Sequence, residues 1–150
     1  MREAIRLSRQ KMKHGDGGPF GAVVVRGNKI IARGWNCVTS ANDPTAHAEV
    51  MAIREACRKL KDFQLGDCEH YTSCEPCPMC LAAIYWARLG KIYYANTRRD
   101  AAAIEFDDAL IYREISLPIP RRQIPMKQLL RAEALAVFGE WTAKADKIRY

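Results

Sequence analysis

Residues 70–87 read His70-Tyr71-Thr72-Ser73-Cys74-Glu75-Pro76-Cys77-Pro78-Met79-Cys80-Leu81-Ala82-Ala83-Ile84-Tyr85-Trp86-Ala87, and local structure changes kind twice within them. Residues 70–73 carry β-branched and aromatic side chains and read as a short strand. Pro76-Cys77-Pro78 then opens a helix, because proline is tolerated in a first turn. The run 79–87 is apolar on most sides, as a buried helix is. A strand leading into a buried helix is the building unit of α/β architecture.

The same alternation recurs on both sides. Upstream, Asp43-Pro44-Thr45 opens another helix, with Asp43 or Thr45 as its cap, and Val50, Ile53, Cys57 and Leu60 continue at spacings of three and four. Residues 34–43 read as polar loop. Before them, the apolar runs 22–26 and 29–33 flank Gly27-Asn28, a hairpin pattern. Residues 1–14 place Ile5, Leu7 and Met12 among charges as an amphipathic helix, ended by Gly15-Asp16-Gly17-Gly18-Pro19. Downstream come a strand at 91–95, a short helix from 101, a proline-bearing loop at 117–125, an edge strand at 127–130 and a last helix at 132–144. The expectation is one α/β domain over residues 1–150: a mixed five-stranded sheet with helices on both faces, α/β/α in three layers. Residues 146–150 belong to no core element.

Composition narrows the class. The 150 residues are 49% hydrophobic and 27% charged, close to globular averages, which excludes disorder and collagen-like structure. No apolar run approaches a membrane span, and no signal-like apolar core follows Met1, so a soluble, cytoplasmic domain is expected. The net charge of +7 gathers toward the two ends of the chain. It would attract a polyanion, but no basic block is uninterrupted, and solvated helix faces account for it as well.

Six cysteines do not imply a disulfide framework here, because 150 residues can build a core without one. Cys77 and Cys80 are spaced C-x-x-C at a helix start, where the helix dipole and free N–H groups favour the thiolate, the form that binds metal. His47, on a neighbouring helix, completes a His/Cys/Cys set. Three protein ligands leave the fourth tetrahedral position of zinc open for an acidified water, as a catalytic site requires. Glu49, two residues from His47, is placed for general acid/base work. A closed structural site would need a fourth ligand, for which Cys74 is the nearest candidate. A redox pair would leave His47-Ala48-Glu49 idle. Cys37, Cys57 and Cys68 read as small buried hydrophobes, and His14 and His70 as loop or surface residues.

H-x-E followed by P-C-x-x-C is the pattern of zinc-dependent deaminases, and these motifs resemble the cytidine-deaminase superfamily. The wider match resembles its small bacterial guanine deaminases. It includes Gly18-Pro19-Phe20-Gly21-Ala22, Asn42-Asp43-Pro44, residues 83–87, Phe106-Asp107-Asp108 and Tyr150. The resemblance implies zinc-dependent hydrolysis of guanine to xanthine and ammonia. It assigns His47, Cys77 and Cys80 as zinc ligands, Glu49 as proton shuttle and Asp108 as a carboxylate at the departing amino group. It makes Asn36, Ala48, Phe20, Trp86 and Tyr150 substrate contacts. It also implies a homodimer with exchanged C-terminal segments and shared sites. Two alternatives remain at this stage. A tRNA adenosine deaminase would use the same zinc set, and the net charge with Arg121-Arg122 favours it, whereas residues 98–108 lack a glycine-rich stretch and Pro78 stands inside the cysteine motif. Guanosine is the other alternative.

Overall fold

In a computed structural model, residues 1–149 are described. The helices are α1 (Arg2–Lys13), α2 (Val38–Ala41), α3 (Ala48–Leu60), α4 (Pro78–Trp86), α5 (Arg98–Ala102), α6 (Ala109–Ser116) and α7 (Arg131–Ala143), with a 3-10 turn at Ile119–Arg121. The strands are β1 (Gly21–Arg26), β2 (Lys29–Trp35), β3 (Cys68–Cys74) and β4 (Lys91–Asn96). They form one sheet in the order β2-β1-β3-β4. β1 runs antiparallel to β2 and β3, while β3 and β4 are parallel, so the sheet is mixed.

Sequence logic accounts for these elements. Gly27 and Asn28 both take positive φ, the backbone a two-residue hairpin turn needs to match the strand twist. Gly21 and Gly34 show which helix covers which face. A Cβ on Gly21 would strike Ala4 and Ser8 of α1, whereas one on Gly34 would strike Ala48 and Ala52 of α3. Gly34 pairs with Ala22, the residue next to Gly21, and neighbouring strand residues point to opposite faces. Thus α1 and α3 lie on opposite faces of the sheet. The core sits mainly on the α3 side, where Ala22, Val24 and Ala32 meet Ala52, Ile53, Ala56 and Ile84.

Several features depart from expectation, among them helix α6 (Ala109–Ser116), in a stretch for which no element is expected. Among the described residues the sheet has four strands, not five. Residues 127–130 are irregular and pair with no described strand. Asp43 does not cap α3: its carboxylate takes the Thr45 N–H and hydroxyl at 2.8 and 2.7 Å, closing a local turn, and His47 becomes the N-cap. One turn of helix, α2, lies in the stretch read as loop. His70 is no surface residue but is fully buried in β3.

The chain divides into two compact units, residues 1–109 and 110–149 among those described. The first holds the sheet. In the second, no described residue is buried, and Leu135, Val137, Phe138 and Trp141 of α7 are all exposed.

Neither ring nitrogen of His70 has a hydrogen-bond partner, and burial pushes its pKa from 6.5 down to about 4. The folded protein therefore holds His70 neutral where the unfolded chain would protonate it. Stability contributed at neutral pH is lost as pH falls through 6.5, and the loss is complete near 4. The full effect is about 3 kcal/mol. Urea unfolding of wild type and His70→Leu at pH 7.5 and 4.5 checks this. The wild type should lose markedly more stability on acidification, and equal losses would refute the assignment.

Candidate functional site

The two ligand-bearing helices begin alike. His47 precedes α3 in extended conformation (φ −71°, ψ 153°), and Cys77 precedes α4 likewise (φ −65°, ψ 168°) with Pro78 behind it. Each N-cap side chain thus projects from a helix mouth, and Cys80 follows within the first turn of α4. The His47 Nδ1 atom lies 3.6 Å from Cys77 Sγ and 3.5 Å from Cys80 Sγ, and the three ligand atoms fall within 4.8 Å of one another. A tetrahedral zinc ion with ordinary Zn–N and Zn–S bonds spaces nitrogen and sulfur about 3.5 Å apart, so the donor set fits that ion. Among the described residues this is the one such group.

Electrostatics agree with metal binding. The Cys80 thiol donates toward Cys77, and His47 adds to that effect, so Cys77 is held down at about 4. Cys80 is pushed up in turn by the same bond to Cys77 and by burial, and the His47 pKa is raised by its bond to Cys77. One thiolate and one thiol share the charge, ready for a cation to take both sulfurs. Cys74 is no ligand. Its thiol faces the Thr97 carbonyl at 3.6 Å, and burial holds its pKa up at about 11.

Glu49 is 5% exposed. Its Oε1 accepts the Thr72 hydroxyl at 3.0 Å, and Cys80 Sγ lies 3.4 Å from Oε2. Burial is the main cause of its raised pKa, which favours a neutral carboxyl beside the metal ligands. Asn36, also buried, accepts the backbone N–H groups of Gly18 and Val38 on Oδ1 at 3.1 and 3.3 Å. That fixes the amide orientation and directs its NH2 away from them. The neighbouring loop is pressed close: a Cβ on Gly17 would lie 2.0 Å from the Asn36 carbonyl oxygen. Phe20 meets Phe106 edge to face at 4.9 Å.

Asp108 is partly buried, and its raised pKa comes from desolvation and then from Cys77, with Arg98 opposing; it therefore lies within electrostatic reach of the ligands. Ala48 is buried in the first turn of α3. Trp86 is placed otherwise. It ends α4, about 9 Å along the axis from Cys80, is 67% exposed and lines an open pocket of about 360 Å³ with Ala82, Tyr85 and Arg88. Tyr150 lies outside the described residues. Sequence reasoning missed Thr72, since a threonine in a strand is ordinary and only the folded register brings it to Glu49. It also missed Gly17, which matters because its missing Cβ lets the loop press against the Asn36 carbonyl.

Residues 1–96 match the family model for the cytidine and deoxycytidylate deaminase zinc-binding region. The chain is 52% identical over 150 residues to the guanine deaminase of Bacillus subtilis (strain 168), covering 100% of this chain and 96% of that one. A crystal structure of guanine deaminase from Bacillus subtilis superposes with a TM-score of 0.96 over 99% of this chain and 95% of that one, at 52% identity. The tRNA-specific adenosine deaminase of Buchnera aphidicola is 32% identical over 124 residues, 82% of this chain and 79% of that one.

Proposed function

The chain belongs to the zinc-dependent cytidine and deoxycytidylate deaminase family, and from that premise we propose that it is a guanine deaminase, converting guanine and water to xanthine and ammonia. The observation that carries this is the full-length likeness to a guanine deaminase, joined to a His/Cys/Cys group with a buried carboxyl beside it. The tRNA adenosine deaminases match less of the chain at lower identity, so RNA is not the substrate favoured.

His47 Nδ1 and the Cys77 and Cys80 sulfurs hold the metal. Zinc bound there supplies Lewis acidity that lets water act as nucleophile near neutral pH. Glu49, kept neutral by its burial, gives a proton to N3 of guanine and so makes C2 electrophilic. The resulting carboxylate takes one proton from the attacking water and delivers it to the departing 2-amino group, then takes the second as the C2 carbonyl forms, so that Glu49 ends neutral as it began. Asp108 receives hydrogen bonds from that amine. Asn36 presents its amide N–H to an acceptor on the purine, Ala48 contacts the base, and Phe20 offers a flat apolar wall to a flat ring, whereas Trp86, exposed at the far end of α4, is not assigned to that wall. The protein works in the cytoplasm, where thiols stay reduced and both ligating cysteines remain available.

Tyr150, in this reading, completes the site of a second protomer in a homodimer with exchanged C-terminal segments. The second unit supports it. α7 leaves Leu135, Val137, Phe138 and Trp141 exposed, apolar area that a partner surface would cover. Deleting residues 146–150 is expected to lower kcat/KM while leaving zinc content intact, and an unchanged kcat/KM would rule the arrangement out.

Ammonia release from guanine, guanosine, adenine and a tRNA anticodon stem-loop, with and without a chelator, tests the substrate. Guanine turnover that disappears with the metal is expected. Turnover of the RNA alone, or of guanosine in preference to guanine, would overturn the assignment.

A further inference from the structure

Resting on that reading of the reaction, we infer that Thr72 is a positioning residue: its hydroxyl anchors Oε1 of Glu49 and leaves Oε2 as the oxygen that exchanges protons with substrate. Three observations carry this. Thr72 is fully buried, so no bulk water competes for its hydroxyl, which lies 3.0 Å from Oε1. Its backbone is held from both sides, in register with Ala22 of β1 and Tyr94 of β4, and a β-branched side chain has little freedom at χ1. Oε2, by contrast, faces Cys80 Sγ at 3.4 Å, and that sulfur donates nothing once it ligates a metal as thiolate.

The chemistry of a carboxyl group completes the argument. A hydroxyl donating to Oε1 is satisfied whether Glu49 is ionised or neutral, provided the acid proton sits on Oε2. Thr72 therefore serves both halves of a proton shuttle without moving. It assigns the two oxygens different work: one stays tied to the sheet, and the other turns toward the reacting atoms. Without the hydroxyl, the proton can occupy either oxygen and the carboxyl can rotate out of line.

The test compares zinc-loaded wild type, Thr72→Val and Thr72→Ser. Valine keeps the shape and removes the hydroxyl, while serine keeps the hydroxyl. In Thr72→Val, kcat for guanine should fall about 10- to 100-fold, the cost of losing a hydrogen bond to a charged group, with KM within about twofold and one zinc per chain retained. Thr72→Ser should restore most of kcat. Wild-type kcat in Thr72→Val, or equal losses in the valine and serine variants, would overturn the inference. If the wild type released no ammonia from guanine, the functional reading would fail on its own, and crystal structures of the zinc-loaded proteins would still decide the role of Thr72. A single Glu49 rotamer on Thr72 in the wild type, lost in Thr72→Val, supports it. The same Glu49 rotamer in both contradicts it.

Discussion

Glu49→Ala is expected to bind one zinc ion per chain and to lose guanine turnover by about 10²- to 10⁴-fold, the range in which positioned general acids and bases contribute. The upper part of that range applies, because one carboxyl does two jobs, protonating N3 and then carrying a proton to the leaving amine. The substitution spares the metal, since Glu49 is outside the ligand group, and a buried acid replaced by alanine removes a desolvated polar group and not a core contact. Glu49→Gln sharpens the result. Its amide keeps the size of the side chain and a partner for Thr72, but it cannot shuttle protons. Zinc analysis beside steady-state kinetics separates the outcomes: full metal with little turnover is predicted, and near-wild-type kcat in either variant would remove Glu49 from the mechanism.

The second large effect concerns the metal itself. Cys77→Ser should weaken zinc binding by more than about 100-fold, beyond what loss of an outer hydrogen bond to a ligand costs, and activity should fall with occupancy. Cys77 is the sulfur already held as thiolate, its pKa near 4, whereas Cys80 is pushed up and must release its proton when a metal binds. Zinc affinity of the wild type should therefore rise with pH between 6 and 8, because metal and proton compete for Cys80. A competition titration with a chromophoric chelator at several pH values measures this. Affinity independent of pH, or a Cys77→Ser protein that keeps its zinc, would contradict the arrangement of ligands.

Much of this was legible in the sequence because local chemistry set it. Gly27-Asn28 dictated a hairpin, and Pro76-Cys77-Pro78 marked a helix mouth with two sulfurs in its first turn. The pairing of that mouth with His47 rests on pattern, and the fold supplies its reason: His47 and Cys77 are N-caps of neighbouring helices, with Cys80 in the first turn behind Cys77. What escaped depended on non-local partners. Residues 127–130 have the content of a strand, but they pair with no described strand. The start of α3 lies later than its cap candidates suggest, because Asp43 closes its own turn through Thr45 before the helix begins at Ala48. His70 was read as polar and hence exposed, while strand register put it inside. Thr72 carried no signal, since its role comes from β3 lying beneath Glu49. Phe138 and Trp141 of α7 are exposed, and periodicity alone does not say which face of a helix is covered.

The central claim is that zinc held by His47, Cys77 and Cys80 makes this protein a guanine deaminase. Stripping the protein of metal and titrating zinc back while following xanthine formation tests it most directly. Activity absent from the metal-free protein, and rising linearly to a plateau at one zinc per chain, is the predicted result. Guanine turnover by the metal-free protein, or a fully zinc-loaded protein that leaves guanine unchanged, would contradict it.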